Sequence, residues 1–291
     1  MALKGPIGIF DSGYGGLTIL DGIRNRLPQY DYIYLGDNAR APYGTRSFDV
    51  VYEFTLQAVK KLFEMGCPLV ILGCNTASAK ALRSIQQNYL PGHAPDRRVL
   101  GVIRPTAEVV GELSRTKHIG VLATEGTIKS DSYKLEIEKL HPDCTIVGQA
   151  CPMWVPLVEN NEFDKPGADY FVKDSLEKLL SQDSLIDTII LGCTHYPLLL
   201  PKIKQQLAQL STANCQPPVA NHQLSTVKVI PQGQYIATSL EDYLRRHPEM
   251  DAHITRGGTC QYLTTESATK FRESASLFLH EDVEVEHITL N

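Results

Sequence analysis

The feature that most constrains this 291-residue chain is that it nearly repeats itself. Ile7-Gly8-Ile9-Phe10-Asp11-Ser12-Gly13 is echoed by Ile119-Gly120-Val121-Leu122-Ala123-Thr124-Glu125-Gly126. Ile33-Tyr34-Leu35-Gly36 is echoed by Thr145-Ile146-Val147-Gly148, and Leu69-Val70-Ile71-Leu72-Gly73-Cys74-Asn75-Thr76 by Thr188-Ile189-Ile190-Leu191-Gly192-Cys193-Thr194-His195. Three echoes in one order and at nearly constant spacing describe two related units. Each echo is a short apolar run ending in a turn, and amphipathic stretches lie between them. That alternation predicts an α/β fold. The expectation is two pseudo-symmetric lobes, each a mostly parallel sheet flanked by helices, with the active site in the cleft between them.

Other local signals fill in the elements. A glycine-rich turn after Pro6–Phe10 leads into a helix from Leu17 to Leu27, which Pro28 closes. Ser47 opens a long helix with apolar residues at Val51, Phe54, Ala58 and Leu62, ended by Gly66. Val99 to Ile103 reads as a strand, with Pro105 placed to start a helix. A strand at Val227 to Ile230 and helices near Tyr235–Arg246 and Glu266–Leu279 follow, whereas Cys215 to Thr226, with Pro217 and Pro218, reads as a loop. The length suits two domains of about 145 residues each. The last eighty or so residues are few for a third domain, so residues 1–101 plus 212–291 are assigned to the first lobe and 102–211 to the second.

Composition narrows the function. Hydrophobic residues at 43% and charged residues at 21% are ordinary for a globular protein. A formal net charge of −5 argues against a surface built to grip nucleic acid. No apolar stretch approaches the ~20 residues of a membrane span. The start of the chain runs straight into a strand without room for a signal peptide, so a cytoplasmic location is expected. The seven cysteines lack CxxC pairs, which fits neither a disulfide framework nor a zinc ribbon. Cys67, Cys144, Cys151, Cys215 and Cys260 are read as inert, and no metal site is expected.

Cys74 and Cys193 differ, because they occupy matching strand ends in matching units. Ligands of open parallel sheets bind beyond those carboxyl ends. Two lobes facing each other would set the two thiols on opposite walls of one cleft. Backbone amides and the helix dipole at such a turn favour the thiolate, lowering a thiol pKa from about 8.5. His195 could share a proton with Cys193, and Asp11 with Cys74. An exposed Asp11 carboxylate could also hold an ammonium group, and Ser12 a carboxylate. The glycines at 13, 15 and 16 form neither a dinucleotide fingerprint nor a phosphate loop. Racemisation is the chemistry that wants two thiols: one takes an α-proton and the other returns one to the opposite face. Ser12, Asn75, Thr76 and Thr194 could hold carboxylates and stabilise a carbanion without metal or pyridoxal phosphate. A thiol hydrolase would use Cys193 and His195 but leaves Cys74 unexplained.

Several segments carry a resemblance over essentially the whole chain. They are Phe10-Asp11-Ser12-Gly13-Tyr14-Gly15-Gly16, Gly36-Asp37 with Ala41-Pro42-Tyr43-Gly44, Gly73-Cys74-Asn75-Thr76-Ala77, Gly120-Val121-Leu122-Ala123-Thr124 with Gly126-Thr127, Val155-Pro156-Leu157-Val158-Glu159, and Leu191-Gly192-Cys193-Thr194-His195-Tyr196-Pro197-Leu198. With these the chain resembles the glutamate racemases of the aspartate/glutamate racemase superfamily. The resemblance implies Cys74 and Cys193 as the acid–base pair, with Asp11 and His195 as helpers and no cofactor. It implies glutamate contacts from Asp11, Ser12, Tyr43, Gly44, Asn75, Thr76, Thr194 and His195, with Pro42, Thr124, Thr127 and Glu159 nearby. It further implies D-glutamate for bacterial peptidoglycan, a cell-wall-precursor effector and a homodimer. Arg104 departs from the expected pattern. An aspartate racemase, one methylene away, and a two-lobed amino-acid-binding protein are the competing readings.

Overall fold

The structure is a computed structural model that describes residues 4–213 and 227–290. Among these residues ten strands form two sheets, with every pairing parallel. The first sheet is built from β1 (Ile7–Asp11), β2 (Tyr32–Gly36), β3 (Leu69–Leu72), β4 (Arg98–Gly101), β9 (Cys260–Thr264) and β10 (Val285–His287), in the order β10-β9-β2-β1-β3-β4. The second contains β5 (His118–Ala123), β6 (Thr145–Ala150), β7 (Thr188–Gly192) and β8 (Lys228–Ile230), in the order β6-β5-β7-β8. Placing β2-β1-β3-β4 over β6-β5-β7-β8 superimposes the internal repeat strand for strand. Cys74 and Cys193 follow the equivalent strands β3 and β7.

The central strands are apolar runs because helices cover both of their faces. β1, β3 and β7 are buried along their whole length. Phe10, Val70 and Leu72 pack with Val51, Leu62 and Ala58 of the helix Phe48–Glu64. In the second lobe Ile119, Val121 and Ile190 pack with Ala107, Val110 and Ile137. Ser47 caps its helix as expected, accepting from the Val50 N–H at 3.4 Å. The next boundary differs: β4 stops at Gly101 and the helix Ile103–Leu113 starts two residues before Pro105. Proline fits there, since first-turn N–H groups have no intrahelical partner.

The lobe assignment needs one correction. β8 pairs with β7 in the second sheet, so the chain does not return to the first lobe at residue 212. The repeat demands this, because β8 is the fourth strand that matches β4. The helix Gly233–Arg246 then packs against the helix Leu17–Arg26 of the first lobe, and β9 and β10 extend the first sheet beyond β2. These last two strands escaped the sequence reading. β10 is only three residues at a sheet edge and β9 begins on half-exposed positions, so neither shows a clear periodic signal. The expected 215–226 loop lies outside the described residues. Among the described residues, no helix is long and apolar enough to cross a membrane.

Candidate active site

The carboxyl ends of both sheets face one cavity of about 130 Å³. Ser12, Cys74, Asn75, Thr76, Pro42, Tyr43 and Gly44 line it from the first lobe, and Thr124, Glu159, Cys193, Thr194 and His195 from the second. The structure therefore gathers most of the residues singled out from sequence, and it sets the two thiols on walls contributed by different lobes.

The hydrogen-bond partners of Cys74 are neutral. Its residue is the N-cap of the helix Asn75–Lys80, and the Ala77 N–H donates to Sγ at 3.4 Å. The Ser12 hydroxyl lies 3.3 Å from the same sulfur. The helix terminus is expected to lower the thiol pKa, but the surroundings of Cys74 raise it. Burial pushes the Cys74 thiol up to about 12, the Asp11 carboxylate adds to the shift, and the bonds from Ser12 and Ala77 offset only part. One short helix of six residues does not compensate for loss of water on every side.

Around Cys193 the partners are ionisable. Nδ1 of His195 lies 3.8 Å from the Cys193 sulfur, and Nε2 lies 3.2 Å from Oε1 of Glu159. Burial disfavours charge on the ring, but the hydrogen bonds to Cys193 and Glu159 outweigh it and hold the imidazole pKa at about 10. Glu159 comes from the helix Trp154–Glu159, so the sequence-distant β6 end orients the β7 end. A charged His195 can give a proton to the sulfur side of the cavity and recover it through the same bond.

Two expected contacts take other places. Asp11 is fully buried rather than exposed and is off the cavity wall. Its carboxylate accepts from the Gly13 N–H at 2.8 Å and from the Thr194 hydroxyl at 3.4 Å, so it ties the lobes together behind the thiols. Burial raises its pKa, against the charge of His195 and the Gly13 and Gly16 amides. Thr127 also stands one layer back, 3.3 Å from the Thr76 hydroxyl and 3.1 Å from that of Thr124. Tyr43 reaches the wall because its hydroxyl donates to the buried Asp37 carboxylate. The glycine loop earns its composition at Gly15. A Cβ there would come within 2.4 Å of Thr194 Oγ1 and 2.5 Å of His195 Nδ1, so only glycine lets the first lobe approach this closely.

The sequence reading missed some of the wall. Cys151, taken as an inert core residue, lines the cavity with Pro152, Val155 and Pro156, and so do Thr45 and Glu125. Cys151 Sγ donates to the Gln149 carbonyl at 3.6 Å, and burial raises its thiol pKa to about 12. Tyr133 and Gln232 had no visible signal, since each needs the tertiary fold to reach Asn75. Cys67 and Cys144 are buried free thiols and Cys260 is a half-buried one; Cys215 lies outside the described residues. Among the described residues, no three His, Cys, Asp or Glu side chains gather as a metal site.

A cavity between two related lobes, with a thiol on each wall and different proton partners behind them, defines the amino-acid racemase class of isomerases. Comparison with known proteins agrees. The Asp/Glu/hydantoin racemase family matches residues 18–220. A glutamate racemase of Roseobacter denitrificans is 37% identical over 289 residues, covering 96% of this chain and 98% of that protein. A Bacillus anthracis glutamate racemase structure superimposes with a TM-score of 0.84 at 31% identity, covering 98% of each chain. The Francisella tularensis glutamate racemase complexed with D-glutamate gives a TM-score of 0.82 at 30% identity, covering 99% of this chain and 98% of that one. The Escherichia coli glutamate racemase, solved with L-glutamate and the activator UDP-MurNAc-ala, gives 0.72 at 26% identity and covers 99% of both. This chain belongs to the Asp/Glu/hydantoin racemase family.

Proposed function

We propose that the protein interconverts L- and D-glutamate by proton transfer between Cys74, the substrate α-carbon and Cys193. The observation that carries this is the pair of thiols lining one small cavity from different lobes. A thiolate on one wall takes the α-proton, leaving a planar carbanion, and the thiol on the other wall delivers a proton to the opposite face. Ser12, Asn75 and the backbone N–H groups of Tyr43, Gly44, Thr76 and Thr194 supply donors for the carboxylates, while His195 exchanges protons with Cys193. Asp11 acts from behind the wall. By family resemblance, Cys74 removes the proton from D-glutamate and Cys193 from L-glutamate. Polarimetry on purified protein in the presence of chelator tests this: both enantiomers of glutamate should turn over without added cofactor. Loss of activity in chelator, or turnover of aspartate alone, would overturn it.

The wider role follows from likeness to relatives. D-glutamate for peptidoglycan in a bacterial cytoplasm is the proposed use of the product. A cell-wall-precursor effector rests on the E. coli complex, and adding UDP-MurNAc-ala to the assay tests it. A homodimer is the proposed assembly, with sedimentation velocity as its test.

A further inference from the structure

Behind Asn75 lies a closed ring of buried hydrogen bonds that no proton step uses. Asn75 Nδ2 donates to Gln232 Oε1 at 2.8 Å. Gln232 Nε2 donates to the Tyr133 hydroxyl at 2.5 Å, and that hydroxyl donates to Asn75 Oδ1 at 2.6 Å. Asn75, Gln232 and Tyr133 are at most 4% exposed, so water does not substitute for these bonds. Asn75 belongs to the first lobe. Tyr133 comes from the second lobe, and Gln232 from the turn after β8.

The direction of the ring is set from outside it. Gln232 Nε2 also faces the backbone carbonyl of Val102 at 3.3 Å and the Thr106 hydroxyl at 3.0 Å. A carbonyl oxygen only accepts, so the Gln232 nitrogen, not its oxygen, must lie on that side. Gln232 Oε1 is then left facing Asn75, which must answer with Nδ2. A flipped Asn75 would set two oxygens against each other and strand the Tyr133 proton. Burial raises the Tyr133 pKa further above its ordinary value, so the phenol stays a donor. With one N–H given to Gln232, Asn75 Nδ2 keeps the second, and Asn75 lines the substrate cavity.

We propose that Gln232 is a positioning residue for substrate binding: it reads a fixed carbonyl of the second lobe and holds the Asn75 carboxamide so that an N–H is offered to a carboxylate of the amino-acid substrate. The inference rests on the glutamate reading and deepens it. Gln232 touches no substrate and acts only through Asn75. Tyr133 completes the ring but does not choose its direction, because the Val102 carbonyl does so without it.

A double-mutant cycle tests this. Gln232→Leu keeps volume but removes the amide, and should raise KM for both glutamate enantiomers about tenfold, as expected for losing one bond to a charged group. kcat should change far less, and the dissociation constant for D-glutamate by calorimetry should weaken in step with KM. In an Asn75→Ala background the same replacement should change KM less than about twofold, because its effect passes through Asn75. Tyr133→Phe, which removes a single oxygen, should raise KM by only about two- to threefold and covers the case in which Gln232→Leu does not fold. Full additivity of Gln232→Leu with Asn75→Ala would overturn the inference, as would a Tyr133→Phe defect in kcat alone. Wild-type protein that fails to turn over glutamate would sink the substrate reading first, an outcome distinct from additivity in an active enzyme.

Discussion

The two thiol walls descend from one repeated pattern and yet carry different chemistry. Cys74 and Cys193 follow equivalent strands, but the residue two positions on is Thr76 in one lobe and His195 in the other. Thr76 turns away to the hydroxyls of Thr124 and Thr127, at 2.9 Å and 3.3 Å. His195 instead bridges its thiol to Glu159. Likewise the strand-end acid Asp11 corresponds to Ala123, so only the first lobe contributes a buried carboxylate at this position, and it bonds across to Thr194 of the second. Repetition thus fixes where the sulfurs are held, while single side chains at matching positions decide how each sulfur exchanges its proton. Racemisation needs the placement to be symmetric; it does not need the proton partners to be.

The largest expected effect tests the shared part of the design. Cys74→Ser and Cys193→Ser should each lower racemisation in both directions by about 10³-fold or more, within the range for removing an acid–base group. The double variant should be hardly worse, because the pair acts as a unit. Circular dichroism from each enantiomer measures this, and a single variant keeping a tenth of wild-type turnover would reduce that thiol to a bystander.

Next comes the part that differs. His195→Asn should lower turnover by about 10²-fold, the low end for a lost proton-transfer partner. Since His195 serves only the Cys193 wall, exchange of the α-proton of L-glutamate in D2O should fall well below that of D-glutamate. Equal loss for both enantiomers in NMR would erase the proposed distinction between the walls.

A subtler difference lies in alkaline stability. The His195 pKa rises from 6.5 to about 10 on folding, so its stabilising contribution is complete below pH 6.5 and is lost as pH climbs through 10. For Cys74 the corresponding rise is from 9.0 to about 12, which moves the window to higher pH. Melting temperature against pH should therefore flatten between pH 6.5 and 10 in His195→Asn, and only above pH 9 in Cys74→Ser. Identical curves for the two variants would show that the walls do not titrate separately.

The smallest effect concerns the third thiol of the cavity. Cys151→Ala should keep racemisation within about threefold, because its sulfur bonds to the Gln149 carbonyl and the Ser175 side chain, neither of which is an ionisable proton partner. Filling and packing are its contribution, and replacing one buried sulfur should lower stability by about 1 kcal/mol. A loss of turnover comparable to Cys74→Ser would mean that three thiols share the chemistry.

Much of this molecule is written along the chain. The glycine-ended echoes specify strand, turn and helix in each unit, and the repeated order implies the repeated sheet. Cys74, Asn75, Thr76, Cys193, Thr194 and His195 are legible because each belongs to such an echo. β9 and β10 are less so, since β9 begins on half-exposed positions and β10 is a three-residue edge strand that borrows its stability from the neighbour it pairs with. Asp11 was expected at the correct strand end but exposed rather than buried, because local sequence does not say which strand-end side chains the other lobe will cover.

What the sequence determined by itself is the duplication, the parallel α/β units and the identity of the two thiols, all consequences of periodicity and of motifs a few residues long. Tertiary structure alone decided that β8 completes the second sheet, that Glu159 meets His195 and that Gln232 meets Asn75. It also decided that burial, rather than the helix terminus, governs Cys74. The physical reason is range: turn geometry and strand pattern depend on neighbours in sequence, whereas desolvation and hydrogen bonding sum over every group the fold brings near, whatever its distance along the chain.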